Sequence, residues 1–191
     1  MGLYANYDSL KQQFFARGHL TPNADFNSPE ERAYTMITTN IAPQWQLFNA
    51  GNWNNLEKAM RKYATKTQHA LYVFTGTGGA ARNFKGNVII LNERVLAPKW
   101  YWKAVCDPIA KQSVFFLGEN TIGDEGGMEG QAKCCYGKLQ TRKLGVINCF
   151  SLSDAKKMFK KDFQMPVFHE KNCVPSMIGE NFQSFIQTSL V

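Results

Sequence analysis

Asn49-Ala50-Gly51-Asn52-Trp53-Asn54-Asn55-Leu56-Glu57-Lys58-Ala59-Met60-Arg61-Lys62-Tyr63-Ala64-Thr65-Lys66 divides the chain into two regions of different character. The stretch lacks proline, and Leu56, Ala59, Met60 and Tyr63 recur at the spacing of one helical face, which predicts the longest helix of the protein over 49–66. Upstream, Ser28-Pro29-Glu30-Glu31 is a capping box with proline at the first helical position, predicting a short helix to about Met36. Downstream, Leu71–Phe74, Val88–Leu91, Trp100–Val105, Val114–Leu117 and Val146–Ile147 are short, β-branched or aromatic runs bounded by glycine, asparagine or proline, and read as strands. Asn120 to Gly130, rich in glycine and acid, reads as an exposed loop. Ser153 caps a further helix from Asp154 to Lys161. Helices first and strands afterwards predict an α+β fold, a mostly antiparallel sheet flanked by helices. With no internal repeat and no Pro/Ser-rich linker, residues 1–191 read as a single domain.

Composition bounds the function. The 191 residues are 44% hydrophobic and 19% charged, enough apolar material for one packed core and too much for a disordered chain. The formal net charge of +7 favours encounter with polyanions and permits nucleic acid as a partner without establishing it. No apolar run approaches the roughly 20 residues that span a bilayer, so a membrane is not an expected partner. The five cysteines, Cys106, Cys134, Cys135, Cys149 and Cys173, include no CxxC pair and no zinc-like spacing to His69 or His169. They suit disulfides in an oxidising compartment, with one thiol left over.

Two short segments carry chemistry. In the first, Arg17-Gly18-His19-Leu20-Thr21-Pro22, the histidine stands at a strand end or turn. An imidazole with an ordinary pKa of about 6.5 can take a proton from water at neutral pH. Arg17, two residues earlier, reaches the same phosphate if the backbone is extended. In the second, Asn49, Trp53, Glu57 and Arg61 are four apart. On a helix each such step drifts by about 40°, which sets an amide oxygen, a carboxylate and a guanidinium on one stripe. Asn49 offers a neutral oxygen to a hard cation such as magnesium. Arg61 can grip a phosphate oxygen with its planar fork. Glu57 can hold Arg61 at i+4 or orient metal-bound water. A base, a cation site and a guanidinium are what phosphodiester hydrolysis needs.

Arg17-Gly18-His19, followed by Asn40-Ile41-Ala42-Pro43-Gln44, Asn49, Gly51, Trp53 and Leu56-Glu57, resembles the signature of the DNA/RNA non-specific endonuclease family. The likeness is clearest from Phe15 to Tyr63, and its wording is most similar to the secreted arthropod branch, which includes insect double-stranded ribonucleases. The resemblance implies a ββα-metal (His-Me finger) core and a Mg2+-dependent endonuclease, with Mn2+ as a substitute, cutting DNA and RNA through the sugar-phosphate backbone to leave 5′-phosphates. It implies His19 as general base, Asn49 as the direct metal ligand, Glu57 as the positioner of metal-bound water and of Arg61, and Arg61 and Arg17 as stabilisers of the pentacovalent phosphate. Ala16 stands where many members have an acidic residue. The family motif normally follows a sizeable N-terminal region, so the chain is expected to lack that part, signal peptide included. The expected location is extracellular, with mitochondria as the alternative.

Other readings are weaker. Thr75-Gly76-Thr77-Gly78-Gly79 lacks the GK[ST] of a phosphate loop and reads as a strand-end turn. His69 and His169 read as structural, Trp45 and Trp53 as core or pocket wall, and Lys156, Lys157, Lys160 and Lys161 as a solvated helix face. The competing functions are a catalytically impaired nucleic-acid-binding member of the same fold, and a basic structural or toxin-like secreted protein.

Overall fold

The computed structural model describes residues 14–83, 85–121, 139, 141–165, 168, 171–173 and 184. Strand β1 (Phe15–His19) leads through a short turn to helix α1 (Pro29–Tyr34) and back to strand β2 (Ile41–Trp45). A single helical turn, α2 (Gln46–Phe48), enters a wide π-type turn at Asn49–Trp53, and helix α3 (Asn54–Thr67) follows. The remaining elements are β3 (Tyr72–Gly78), β4 (Ile90–Leu91), β5 (Val95–Leu96), β6 (Trp100–Asp107), β7 (Gln112–Glu119), β8 (Ile147–Phe150) and α4 (Leu152–Met158). The fold is α+β, with every described strand pair antiparallel.

The central sheet runs β3-β6-β7-β8. All eight residues of β6 are buried, because the sheet is covered on both faces. Tyr101, Val105, Val114, Phe116 and Ile147 join one cluster with Phe15, Phe48, Trp53 and the inner face of α3. Trp100, Trp102, Phe115, Leu117 and Phe150 join the other with Ala155 and Phe159 around α4. Burial of each large apolar side chain contributes roughly 1.5–3 kcal/mol, so these two layers dominate the stability. Leu56, Ala59, Met60 and Tyr63 form the buried face of α3, as their periodicity predicts.

Outside the central sheet, β1 and β2 form a two-stranded hairpin in which Arg17 faces Pro43 and His19 faces Ile41. Asn120 anchors this hairpin to the sheet. Its side-chain oxygen accepts from the Trp45 amide at 2.8 Å, and its amide nitrogen donates to the Pro43 and Pro98 carbonyls at 3.0 and 2.9 Å. Asn120 is thus buried and does not open an exposed loop; residues 122–130 of that predicted loop, and His169, lie outside the described residues.

Several boundaries differ from expectation. The predicted 49–66 helix is regular only from Asn54, because Gly51 adopts φ −88° and ψ −121°. A Cβ at Gly51 would stand 2.7 Å from the Leu144 carbonyl oxygen, so the distant segment packed against the bend leaves room only for glycine. The first helix stops at Tyr34, capped as predicted by the reciprocal Ser28–Glu31 box. The last helix is capped by Ser151, whose hydroxyl accepts from the Asp154 amide at 3.0 Å, and it stops at Met158. Thr75–Gly78 continues β3 and forms no turn. Only Ile90–Leu91 of the Val88–Leu91 run pairs as a strand, and Val88 instead bridges Arg82. Among the described residues no helix is long and apolar enough to cross a membrane.

Candidate active site

The hairpin and helix α3 meet at an open pocket of about 270 Å³. Its walls are His19, Pro22, Asn23, Ala24, Asn49, Ala50, Asn54, Glu57 and Arg61. Residues from three separate segments therefore converge: the end of β1 and the chain just after it, the turn before the bend, and the half-buried side of α3.

The position of His19 is built by the motifs on either side. Asn40 holds the chain just after the histidine: its oxygen accepts from the Thr21 amide at 2.9 Å, and its amide donates to the Thr21 and Thr35 carbonyls at 3.0 and 2.9 Å. Leu20 donates its amide to the Asn40 carbonyl at 2.9 Å. Beneath the strand, Gly18 is required by close approach. A Cβ there would lie 2.5 Å from Gln44 Cβ and from the Tyr101 hydroxyl oxygen. The glycine thus lets the hairpin settle on the core while His19 faces the pocket.

Burial is the main influence on the imidazole and holds its pKa below the ordinary 6.5. The hydrogen bond to the Arg17 backbone works the other way, and the Arg17 charge adds to the lowering. His19 Nε2 lies 3.3 Å from Met36 Sδ, a weak contact that leaves the ring little competed for. A neutral, half-buried imidazole at the wall of an open pocket is able to accept a proton.

The opposite wall is charged. Arg61 Nη1 donates to Asp25 Oδ1 at 2.8 Å. Glu57 Oε1 lies 3.5 Å from the ammonium of Lys103, a side chain with no solvent exposure. Burial raises the Glu57 pKa, Lys103 and Arg61 draw it down, and Asp25 pushes it up. Burial likewise lowers the Lys103 pKa, opposed chiefly by Glu57. Each charge has a compensating neighbour, which is the condition for keeping ions in a poorly hydrated place.

Among the described residues no group of three or more His, Cys, Asp or Glu side chains stands ready to hold a metal ion. The lining side chains that carry oxygen are those of Asn23, Asn49, Asn54 and Glu57, all hard donors. That set fits a small hard cation that keeps most of its water shell, and it does not fit zinc.

Of the residues singled out by sequence, His19, Asn49, Glu57 and Arg61 line this pocket. Arg17 does not. It is exposed on the adjoining groove of about 430 Å³, beside Met36, Ile41, Pro43, Leu91 and Val95. Trp53 is also absent from the expected stripe: the bend at Gly51 turns it into the core, 1% exposed, against Phe48 and Tyr101. The expected Glu57–Arg61 pair is replaced by two others, Glu57–Lys103 and Arg61–Asp25. Lys103 was hidden inside a run read only as a strand; a lone charge within Trp-Tyr-Trp-Lys-Ala-Val was the signal. His69 is structural: it shares Asp107 with the Tyr63 hydroxyl, both at 2.7 Å.

The family model described as DNA/RNA non-specific endonuclease matches residues 2–146. A salivary endonuclease of Lutzomyia longipalpis is 37% identical over 111 residues, 56% of this chain and 27% of the relative. A salivary endonuclease of Culex quinquefasciatus is 33% identical over 113 residues, 58% of this chain and 31% of the relative. A nuclease of Nostoc is 33% identical over 93 residues, 48% of this chain and 31% of the relative. The chain matches less than a third of the length of each of these relatives.

Proposed function

From the premise that the chain belongs to the DNA/RNA non-specific endonuclease family, we propose that it hydrolyses phosphodiester bonds in DNA and RNA, double-stranded RNA included, with little regard for sequence. The observation that carries this reading is the convergence of His19, Asn49, Glu57 and Arg61 on one open pocket.

In this reading His19 removes a proton from the attacking water, and its depressed pKa keeps it in the basic form at neutral pH. Asn49 supplies the protein oxygen that holds a divalent cation, Mg2+ or in its place Mn2+. When bound, that cation supplies neutralisation of the charge developing on the phosphate and on the leaving oxygen. Glu57 orients water in the pocket, and the Lys103 ammonium opposes the rise that burial imposes on its carboxyl pKa. Arg61 presents its guanidinium to an equatorial phosphate oxygen, aimed by Asp25. Arg17 meets a neighbouring phosphate from the adjoining groove. Departure of the 3′-oxygen leaves 5′-phosphate ends. Extracellular placement is supported by the Cys106–Cys173 disulfide and by the salivary relatives.

Plasmid DNA and double-stranded RNA incubated with Mg2+, and then with a chelator, test the reading. Cleavage that needs the metal and leaves ends open to 5′-phosphate-dependent ligation is expected. Binding without cleavage sinks it and favours a nucleic-acid-binding member that has lost catalysis.

A further inference from the structure

The ammonium of Lys103 makes three contacts to three different parts of the site. It donates to the Leu20 carbonyl at 3.1 Å and to Thr75 Oγ1 at 2.9 Å, and it lies 3.5 Å from Glu57 Oε1. Lysine has three N–H donors and no acceptor, so this set uses its whole capacity. The side chain has no solvent exposure, and its charge also stands 5.3 Å from the centre of the Trp53 ring.

We propose that Lys103 is a positioning residue that pins the His19 strand to the Glu57 helix and sets the gap between them in which a phosphate must fit. Leu20 directly follows His19, and its carbonyl is held by a residue of the central sheet 83 positions away. Glu57 is held by the same nitrogen from the opposite wall. Thr75 faces Lys103 across the β3–β6 pairing and fixes the nitrogen from the sheet side. Stability alone accounts poorly for an ammonium here, since apolar packing usually serves a buried position at least as well as an ion pair. What an apolar residue cannot do is hold a carbonyl and a carboxylate at one point.

The proposal rests on the function proposed above, and the test separates the two. Thr75→Val removes one anchor and keeps the charge. Lys103→Met removes the pin. Both are compared with the wild-type protein for kcat and KM on plasmid DNA with Mg2+, and for the NMR resonances of the His19 ring and the Leu20 amide without metal. The expected result is a kcat lower on the order of 10- to 100-fold in each folded variant, with KM within about twofold. The resonances of both residues move. Activity that falls only with the folded fraction, with resonances unmoved, overturns the pin. If Lys103→Met does not fold, Thr75→Val decides by the same criteria. If wild-type protein cleaves nothing, the functional reading fails, and the pin is judged by the metal-free resonances alone.

Discussion

Arg61 and Asp25, 36 residues apart, meet at 2.8 Å, with Arg61 in the wall of the pocket. The pair is partly open to water, 29% and 40% exposed at the two side chains, so screening limits what it contributes to the fold. Its consequence is directional, since it aims the guanidinium.

Asp25→Ala is therefore expected to lower kcat/KM on polynucleotide by about tenfold, a loss of about 1.4 kcal/mol in transition-state binding. Folding stability should change by less than about 1 kcal/mol. Steady-state kinetics and urea unfolding on one preparation check both halves. A large stability loss with unchanged kinetics contradicts the aiming role.

His19→Ala should reduce turnover by roughly 10²–10⁴-fold, the range for a general base, while affinity for a labelled duplex stays near that of the parent. The pH dependence has a definite sign. Burial lowers the imidazole pKa, so the basic form persists to more acid pH and the acid limb of kcat/KM should lie below 6.5. A limb above that value in the wild-type protein would place the proton acceptor elsewhere.

Gly18→Ala puts a methyl 2.5 Å from Gln44 Cβ and the Tyr101 hydroxyl oxygen, both in a buried layer. Overpacking of this kind costs about 1–3 kcal/mol. Calorimetry should show a lowered Tm, and activity should fall further than the loss of folded protein explains, since the displaced strand carries His19.

Asp107 is a second pH-sensitive point, remote from the pocket. Burial pushes its carboxyl up, but the Ala110 backbone amide, His69 and the Tyr63 hydroxyl together outweigh that and hold it below its ordinary 3.8. A carboxyl lowered by folding contributes stability that is complete above 3.8 and lost as pH falls through the folded value. Asp107→Asn should flatten the acid decline of Tm below that pH; an unchanged decline would assign it to other carboxylates.

The amino-acid order announced a good part of this arrangement. The apolar spacing of Leu56, Ala59, Met60 and Tyr63 marked the buried face of α3, and Ser28–Glu31 marked the start of α1, because both signals are local. His19, Asn49, Glu57 and Arg61, singled out for their side chains and spacing, line one pocket. The bend at Gly51 was not legible, since what packs against it, Leu144, lies more than 90 residues away. Lys103 escaped for the same reason: its partners Leu20, Glu57 and Thr75 come from three separate segments. The Glu57–Arg61 expectation failed because helical spacing offers a pair, while tertiary neighbours offered each residue another.

The bend at Gly51 has a practical meaning for anyone wishing to alter this protein. Asn49 rides ahead of it and Glu57 and Arg61 ride behind it, so the proposed cation ligand and the residues proposed to orient water and meet the phosphate sit on two pieces of backbone rather than on one rod. Lengthening or rephasing the rod behind the bend would swing Glu57 and Arg61 around its axis and leave Asn49 where it is.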